Sequence, residues 1–269
     1  MNRVQGISDR RLRRFIKSAA AVAAEAGKLL KRNVNSKRSV RRKGAIDLVT
    51  EMDVASEKLI VGKLQSEYPE FSFLTEEAAA IDTESEFRWI VDPLDGTTNY
   101  THGFPFWCVS IGLEYRGRMI VGVVYDANLD ELFTAAAGLP TRLNGKPIRV
   151  TSRRKLSESL LATGFPYDIQ TSKENNLNYF NVFARRAQAV RRAGSAALDL
   201  CYLAAGRFDG FWELKLHPWD TAAAIVIVEQ AGGRVTDFCG KRYSIFDKYI
   251  LATNGKIHRE MQKLMSENC

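Results

Sequence analysis

The sequence is poor in the residues that hold transition metals. It contains only three histidines and four cysteines among 269 residues, and no two cysteines stand in a CxxC pair or another metal-ligand spacing. Cys108 and Cys201 lie in apolar runs, so we interpret both as small core residues. The scattered histidines and unpaired cysteines together argue against a zinc site.

Long apolar segments are also missing. No window approaches the roughly 20 uninterrupted apolar residues of a membrane span, and the N-terminus lacks a continuous apolar signal core with a cleavage site. With 45% apolar and 26% charged residues, the composition is that of an ordinary soluble globular protein. We therefore expect a cytoplasmic protein that does not associate with membranes.

Acidic residues are scarce in the first 45 positions. Residues 1–45 hold 14 lysines and arginines but only two acids, a net charge of +12, whereas the rest of the chain carries −4. Basic arms of this kind bind nucleic acid in some proteins. A solvated helix face followed by a loop near an anionic ligand explains the same charge, and we favour that interpretation.

The N-terminal region is predicted to be helical. Apolar residues from Leu12 to Leu30 recur at helical spacing, with Ser8 or Asp9 placed to cap the helix. A second helix is predicted over residues 53–67. Residues 33–45 carry no apolar period and are predicted to form a mobile basic loop.

The remainder divides into two patterns. Short β-rich runs over residues 107–136 predict an antiparallel meander, and Asn144-Gly145 predicts a hairpin between runs at 141–143 and 146–150. Beyond residue 155 the predicted segments are strands at 159–163, 189–192, 208–213, 233–236 and 249–253, and helices near 173–188, at 195–206, at 218–231 and from 256. We expect layered α/β structure in a single domain over residues 1–269, with an N-terminal lobe of about residues 1–150 and a C-terminal lobe of about residues 151–269.

Carboxylates recur at the ends of strands and helices, where burial of a charged group is unfavourable unless a partner neutralises it. In the segment WIVDPLDGTTN, an apolar strand runs into two acids that stand three residues apart. The acids concerned are Asp47, Asp53, Glu76, Glu77, Asp92, Asp95 and Asp220. Each has an ordinary explanation alone, such as a helix cap for Asp220. Together they would repel one another unless cations lay among them, and oxygen ligands without histidine or cysteine favour Mg²⁺.

A glycine and two threonines directly follow these acids. Gly96, Thr97 and Thr98 offer backbone N–H groups and hydroxyls after a strand, an arrangement suited to a phosphate group. Carboxylates, a divalent cation and such a phosphate-binding turn together describe metal-assisted transfer of a phosphoryl group to water.

In these residues the sequence resembles the inositol monophosphatase family of Mg²⁺-dependent, lithium-sensitive phosphatases. Five signatures occur in order: DLVTEMD (47–53), LTEEA (74–78), WIVDPLDGTTNYTHGFPF (89–106), GSAALDLCYLAAGRFDGFWE (194–213) and PWDTAAAIVIVEQAGG (218–233). The resemblance covers nearly the whole chain. It implies the layered α-β-α-β-α sandwich of the sugar phosphatases and a homodimer.

The resemblance also implies roles for single residues, carried over position by position. The implied metal ligands are Glu76, Asp92, Asp95, Asp220 and the backbone carbonyl of Leu94. The implied catalytic residues are Glu76 and Thr97, which would position and activate the attacking water, and Asp53, which would orient the Thr97 hydroxyl. The implied substrate-binding residues are Asp95, Gly96, Thr97, Thr98, Gly194, Ser195, Ala196, Glu213 and Asp220. Lys43 lies close to where the family places a lysine near a third metal ion.

The motifs alone do not decide which phosphate ester is the substrate. Glu213, followed seven residues later by Asp220, favours inositol-1-phosphate. The metal motif is shared by sister phosphatases that act on fructose-1,6-bisphosphate, histidinol phosphate or phosphoadenosine phosphate. A function of another class is also open, because bacterial proteins resembling this one are associated with transcription. The basic N-terminal helix would then contact RNA or the transcription machinery.

Overall fold

The computed structural model describes residues 6–35, 40–42 and 48–266. Seven α-helices and fourteen β-strands lie in these ranges. The helices are α1 (Asp9–Asn33), α2 (Glu51–Glu67), α3 (Thr97–Thr101), α4 (Leu177–Ala184), α5 (Ala196–Ala204), α6 (Pro218–Gln230) and α7 (His258–Ser266). No helix in the described ranges has both the length and the apolar character needed to cross a membrane.

The strands form one large sheet, one smaller sheet and a separate pair. The pair is β1 (Val40–Arg42) with β2 (Leu48–Thr50). The large sheet contains, in spatial order, β3 (Ser72–Thr75), β4 (Phe87–Asp95), β5 (Cys108–Tyr115), β6 (Arg118–Asp126), β7 (Glu131–Ala136), β8 (Leu139–Leu143) and β9 (Lys146–Pro147). The smaller sheet contains, in spatial order, β11 (Ala189–Arg191), β10 (Leu160–Thr163), β12 (Gly210–Leu214), β14 (Tyr249–Thr253) and β13 (Arg234–Thr236).

In the described residues, five layers pack on one another through three buried cores, and the second core covers both sides of the middle layer. The first core lies between helices α1 and α2 and one face of the large sheet. The second joins the opposite face of that sheet to α5 and α6, and these helices to one face of the smaller sheet. The third packs α4 and α7 on the outer face of the smaller sheet. The predicted α-β-α-β-α sandwich is confirmed.

Helix α1 follows its sequence pattern closely. The Ser8 hydroxyl accepts a hydrogen bond from the Arg11 N–H and caps the helix, as predicted. The buried face contains Leu12, Phe15 and Leu30, which are at most 1% exposed. The apolar period therefore selects both the helix and the face that covers the large sheet.

Helix α6 approaches the large sheet unusually closely, and two glycines make this approach possible. A Cβ atom on Gly122 of β6 would lie 2.0 Å from the backbone oxygen of Ala223. On Gly112 of β5, a Cβ atom would lie 3.0 Å from the Cβ of Ala222. Only glycine leaves room for the helix backbone at position 122, and Gly112 allows close contact with Ala222.

Several predicted boundaries are wrong, and tertiary contacts explain the largest error. The helix predicted near residues 173–188 covers only Leu177–Ala184. Asn176 has a φ of 74°, and its buried side chain donates hydrogen bonds to the Gly164 carbonyl and the Thr163 hydroxyl. This network fixes the chain in a turn before the helix begins.

Smaller corrections concern loops and strands. The strand predicted at 146–150 is limited to Lys146–Pro147. The basic loop predicted over residues 33–45 is wrong at residues 40–42, which form β1. Residues 36–39 and 43–47, which include Lys43 and Asp47, lie outside the described residues. The smaller sheet, for which no strand direction was predicted, is mixed: β10 runs parallel to β11 and β12, and β14 runs antiparallel to β12 and β13.

Candidate active site

A β-bulge places the two acids of β4 on the same face of the large sheet. Asp92 pairs with Ser110 and Asp95 pairs with Cys108, so a step of three residues on β4 faces a step of two on β5. In a regular strand, residues three apart point to opposite faces. The extra residue in the Pro93-Leu94 segment turns Asp95 toward α5, on the side where Asp92 also lies.

Hydrogen bonds hold the bulge in place. The Ser56 hydroxyl of α2 donates to the Pro93 carbonyl at 2.9 Å, and the Leu94 N–H donates to Asp92 Oδ1 at 3.0 Å. Ser56 and Leu94 are at most 1% exposed and Asp92 is 2% exposed. The bulge is therefore fixed from both sides in a buried environment.

Thr97 and Asp53 are connected directly. The Thr97 hydroxyl lies 2.9 Å from Asp53 Oδ1 and 3.1 Å from the Leu94 carbonyl oxygen, either of which can accept its hydrogen. Asp53 Oδ2 accepts hydrogen bonds from the N–H and the hydroxyl of Thr50 at the start of α2. Burial raises the pKa of Asp53, and its hydrogen bonds to Thr50 and Thr97 oppose that rise.

The turn after β4 connects the two sheets. Gly96 has a φ of 96°, and a Cβ atom there would lie 3.0 Å from the Phe106 carbonyl oxygen, so this position requires glycine. Asn99 of α3 donates to the Phe106 carbonyl and, at 2.8 Å, to the Ala193 carbonyl. These bonds set the phosphate-binding turn predicted at 96–98 beside the residues that precede α5.

Asp95, the last residue of β4, contacts the N-terminus of α5, and Asp220 lies in the first turn of α6. The Ser195 hydroxyl and the Ala197 N–H of α5 donate to Asp95 Oδ2 at 2.6 and 2.7 Å. The His217 N–H donates to Asp220 Oδ2 at 2.7 Å, which is the capping role anticipated for this residue. Both acids therefore satisfy helix N–H groups and also face the same cavity.

The carboxylates lie close enough to perturb one another. Burial raises the pKa of Asp92 well above its usual range, and the charges of Glu76, Asp95 and Asp220 raise it further. Burial likewise raises the pKa of Asp220, with Asp95 the next contribution. The pKa of Asp95 rises to about 6 through burial, although the bond from Ser195 opposes the rise. Such a cluster favours the uptake of protons or of a cation.

The residues predicted to be metal ligands, Glu76, Asp92, Leu94, Asp95 and Asp220, offer only oxygen atoms, and such a donor set fits a hard cation. Within the described residues, no three acid, imidazole or thiol side chains are already gathered in a position to hold a metal ion. The charges of Glu76 and Asp95 raise the pKa values of both Asp92 and Asp220, so the four acids lie near one another. Binding of a cation would therefore require small side-chain adjustments within this group.

Glu57, which the sequence motifs did not single out, supports the turn that carries Glu76. Its Oε2 accepts a hydrogen bond from the Glu77 N–H at 2.8 Å, and the residue is 4% exposed on α2. Glu76 follows β3 and is partly exposed. Helix α2 thus positions the bulge through Ser56 and the Glu76 turn through Glu57, contacts too distant in sequence to be predicted.

One cavity brings all nine predicted substrate-binding residues together. The predicted residues in its wall are Asp95, Gly96, Thr97, Thr98, Gly194, Ser195, Ala196, Glu213 and Asp220. Asp53, Asp92 and Leu94 are buried beneath it, at most 2% exposed. Asp199 and Arg192 also line this cavity and were not singled out from the sequence, although Asp199 lies inside the quoted segment 194–213.

Glu213 has a fixed place in this cavity. A Cβ atom on Gly164 would lie 2.0 Å from Glu213 Oε1, so the carboxyl group rests against the glycine backbone. Burial raises the pKa of Glu213 to about 8, an effect that the charge of Arg192 partly offsets. This wall of the cavity therefore contains a carboxyl group that holds its proton more firmly than a solvated acid.

Comparison with known proteins agrees with the architecture and the motifs. A sequence profile described as the inositol monophosphatase family matches residues 11–268. The chain belongs to this family. The inositol monophosphatase from Anabaena (Nostoc) superimposes with a TM-score of 0.88 at 40% identity, covering 95% of this chain and 96% of that one.

Relatives within the inositol monophosphatase family carry two kinds of name. A protein of Synechocystis named inositol-1-monophosphatase is 44% identical over 229 residues, which are 84% of this chain and 80% of that protein. A protein of Pseudomonas aeruginosa named Nus factor SuhB is 42% identical over 250 residues, covering 90% and 92%. Membership makes this chain one of a family of phosphatases that are generally Mg²⁺-dependent.

Proposed function

We propose that this protein hydrolyses inositol-1-phosphate to inositol and phosphate, with Mg²⁺ and an attacking water molecule. One observation carries the proposal. A single cavity joins the turn at Gly96–Thr98, the acids Asp95 and Asp220, and the carboxyl group of Glu213. The similarity to a protein named inositol-1-monophosphatase supports the choice of substrate.

The turn after β4 would bind the phosphate group. Thr97 and Thr98 are the first residues of α3, so their N–H groups have no partner within the helix. Gly96 adopts the left-handed conformation that precedes them. Backbone N–H groups in such a turn match the charge and the geometry of phosphate oxygens.

Thr97 and Glu76 would prepare the water molecule. When the Thr97 hydroxyl donates its hydrogen to Asp53 Oδ1, its oxygen is left to accept a hydrogen bond from water. The carboxylate of Glu76 then takes the proton that the water loses as it attacks phosphorus. Asp53 acts by fixing the direction of the Thr97 hydroxyl.

The acid cluster would hold the metal. Glu76, Asp92, Asp95, Asp220 and the carbonyl of Leu94 supply oxygen ligands, the chemistry that Mg²⁺ prefers. When bound, Mg²⁺ polarises the phosphate, lowers the pKa of water and stabilises the leaving alkoxide. The bulge holds Asp92 and Asp95, the first turn of α6 holds Asp220, and the turn after β3 holds Glu76, so the backbone already brings these acids near one another.

The test is phosphate release from a panel of esters. The panel contains inositol-1-phosphate, fructose-1,6-bisphosphate, histidinol phosphate and phosphoadenosine phosphate, each with Mg²⁺, with EDTA and with added lithium. We expect Mg²⁺-dependent, lithium-inhibited hydrolysis with the highest kcat/KM for inositol-1-phosphate. A higher value for another ester would move the substrate and keep the mechanism, and no hydrolysis of any ester would refute the phosphatase proposal.

A second candidate function is association with RNA, and one surface favours it. Arg10, Arg13 and Lys17 are exposed on α1, and the relatives named Nus factor SuhB suggest a role in transcription. Arg11 and Arg14 are less suitable for a test. Arg11 lies over the Phe87 ring at 4.7 Å and Arg14 contacts Glu67 at 3.4 Å, so both help to attach α1 to its neighbours.

The RNA test therefore substitutes only the three outward-facing cations. In the triple variant with Arg10, Arg13 and Lys17 changed to Gln, RNA affinity should fall and depend less on salt. The matched control removes the same charge at exposed sites elsewhere, by changing Lys58, Lys146 and Lys256 to Gln. Equal losses in both triple variants would indicate only non-specific attraction to a basic protein.

A further inference from the structure

Asp199 is a buried acid in the wall of the proposed active site. It is the fourth residue of α5 and is 1% exposed. Its Oδ1 atom is buried and has no hydrogen-bond partner among the described residues. Its neighbours in the helix, Leu198, Leu200 and Cys201, are all buried and apolar. Asp199 lies in the first turn of α5, where the helix dipole favours a negative charge, but the described residues supply no hydrogen bond to its Oδ1.

A buried carboxyl oxygen without a partner destabilises the fold, because it has lost its hydration and gained no bond in return. Native proteins retain such groups where a ligand or a reaction uses them. Asp199 lines the same cavity as Thr98 and Glu213. The cavity is therefore the place where a partner for Asp199 can arrive.

Of the charged groups around Asp199, Glu213 has the largest effect on its pKa. Burial raises the pKa of Asp199 well above its usual range, and the charge of Glu213 is the next contribution. The charge of Arg192 opposes the rise for both acids. Two acids so placed do not readily ionise together, so between them they can accept hydrogen bonds and also donate one.

We propose that Asp199 is a specificity-determining residue, which together with Glu213 hydrogen-bonds neighbouring hydroxyl groups of a polyol phosphate. The inference rests on the proposed function of this cavity as a phosphatase site. A polyol hydroxyl both donates and accepts, so it satisfies the unpartnered Oδ1 of Asp199. A phosphate ester whose ring carries no free hydroxyl group leaves that atom unpartnered, and such a site rejects it.

The test compares two esters with the same ring, inositol-1-phosphate and cyclohexyl phosphate. In Asp199→Ala, kcat/KM for inositol-1-phosphate should fall about tenfold to a hundredfold, mainly through KM. The value for cyclohexyl phosphate should stay within about twofold, since that ester has no hydroxyl for Asp199 to bind. Asp199→Asn, which keeps a donor and an acceptor, should recover part of the preference.

Stability provides a second readout. Asp199→Leu suits the apolar neighbours and removes the unpartnered carboxyl group, so its melting temperature should equal or exceed that of the wild type. Asp199→Leu should also lose the preference for inositol-1-phosphate over cyclohexyl phosphate, and it replaces the alanine variant in the test if that variant does not fold. A merely structural Asp199 would give lower stability and equal losses with both esters, and that result would overturn the inference.

The matched control is another buried acid with an unpartnered oxygen. Asp126 is 0% exposed, its Oδ2 has no hydrogen-bond partner among the described residues, and it does not line the cavity. Asp126→Ala should leave the ratio of the two esters unchanged. If the wild type hydrolyses neither these two esters nor any other ester of the panel, the phosphatase proposal fails and this inference fails with it. If the wild type prefers inositol-1-phosphate and Asp199→Ala keeps that preference, only the inference about Asp199 is overturned.

Discussion

The Ser195 hydroxyl donates a hydrogen bond to Asp95 Oδ2 at 2.6 Å, although the two residues are 100 positions apart in the chain. Ser195 also caps α5 by accepting from the Leu198 N–H. Asp95 thus connects the bulge of the large sheet to the helix layer that separates the two sheets. Its Oδ2 atom serves the fold, which leaves Oδ1 for the proposed metal.

Asp95→Asn separates these two roles. The amide oxygen of the substituted side chain can still accept the bonds from Ser195 and Ala197, so the melting temperature should change little. Loss of the ligand charge should lower Mg²⁺ affinity and reduce turnover of inositol-1-phosphate by about a hundredfold or more. Calorimetric titration with Mg²⁺ and phosphate release measure the two effects.

Ser195→Ala is the complementary control for Asp95. It keeps the carboxylate but removes a helix cap and one hydrogen bond, so the free energy of unfolding should fall by about 1–2 kcal/mol. Near-normal Mg²⁺-dependent turnover in Asp95→Asn would show that the metal site has been assigned to the wrong residues.

Thr97→Val tests the orientation of the water molecule. The change removes the hydroxyl that lies against Asp53 and nearly preserves the side-chain volume. We expect kcat for inositol-1-phosphate to fall roughly a hundredfold with little change in KM, because the phosphate is held by backbone N–H groups. Steady-state kinetics measures both constants.

Thr101→Val is the matched control for Thr97. Thr101 belongs to the same short helix, and its hydroxyl donates to the Thr98 carbonyl rather than to an acid. Its kcat should stay close to that of the wild type. Equal losses in the two variants would mean that α3, and not the Thr97 hydroxyl, controls the rate.

The sequence motifs predicted which residues would meet, but not how they are held. Asp92 and Asp95 are three residues apart, a spacing that in a straight strand separates them. The bulge that unites them depends on the pairing of β4 with β5 and on Ser56 from α2. Such contacts join distant parts of the chain and leave no local signal.

The same limit explains the misplaced start of α4 and the overlooked acids. Local propensity extends the helix back to residue 173. The buried Asn176 stops it at Leu177, because its side chain donates a hydrogen bond to Thr163 of β10 and accepts one from the Trp212 indole N–H of β12. Asp199 and Glu57 appear in sequence as ordinary helical acids. Only the fold shows that one lines the cavity and the other holds the Glu76 turn.

Gly122→Ala should be strongly destabilising. A Cβ atom at this position meets the backbone oxygen of Ala223 at 2.0 Å, and α6 cannot move away without disturbing the start that carries Asp220. We expect a loss of about 2 kcal/mol or more in the free energy of unfolding, measured with urea.

Gly62→Ala is the matched substitution and should have the opposite sign. Gly62 lies within α2, and a Cβ atom there has no other atom within 4 Å. The higher helix propensity of alanine should stabilise the protein by about 0.5–1 kcal/mol. If both alanine variants were equally stable, the close approach of α6 to the large sheet would be wrong.

His258 should make stability fall on mild acidification. Its ring nitrogens lie 3.0 Å from the hydroxyls of Thr236 and Thr253, and the residue is 1% exposed. Burial lowers its pKa to about 4, and the charge of Arg234 contributes. Because the unfolded chain binds the proton near pH 6.5 and the folded protein only near pH 4, the stabilisation is complete above pH 6.5 and is lost as the pH falls.

The size of this effect follows from the difference in proton binding. Between pH 7.5 and pH 5.0, His258 should account for about 2 kcal/mol of lost stability, measured by urea unfolding at the two pH values. In His258→Gln this contribution disappears, while the acids of the cavity titrate alike in both proteins. The wild type should therefore lose about 2 kcal/mol more than the variant over this range. Parallel losses in the two proteins would show that His258 is not held neutral between its two threonines.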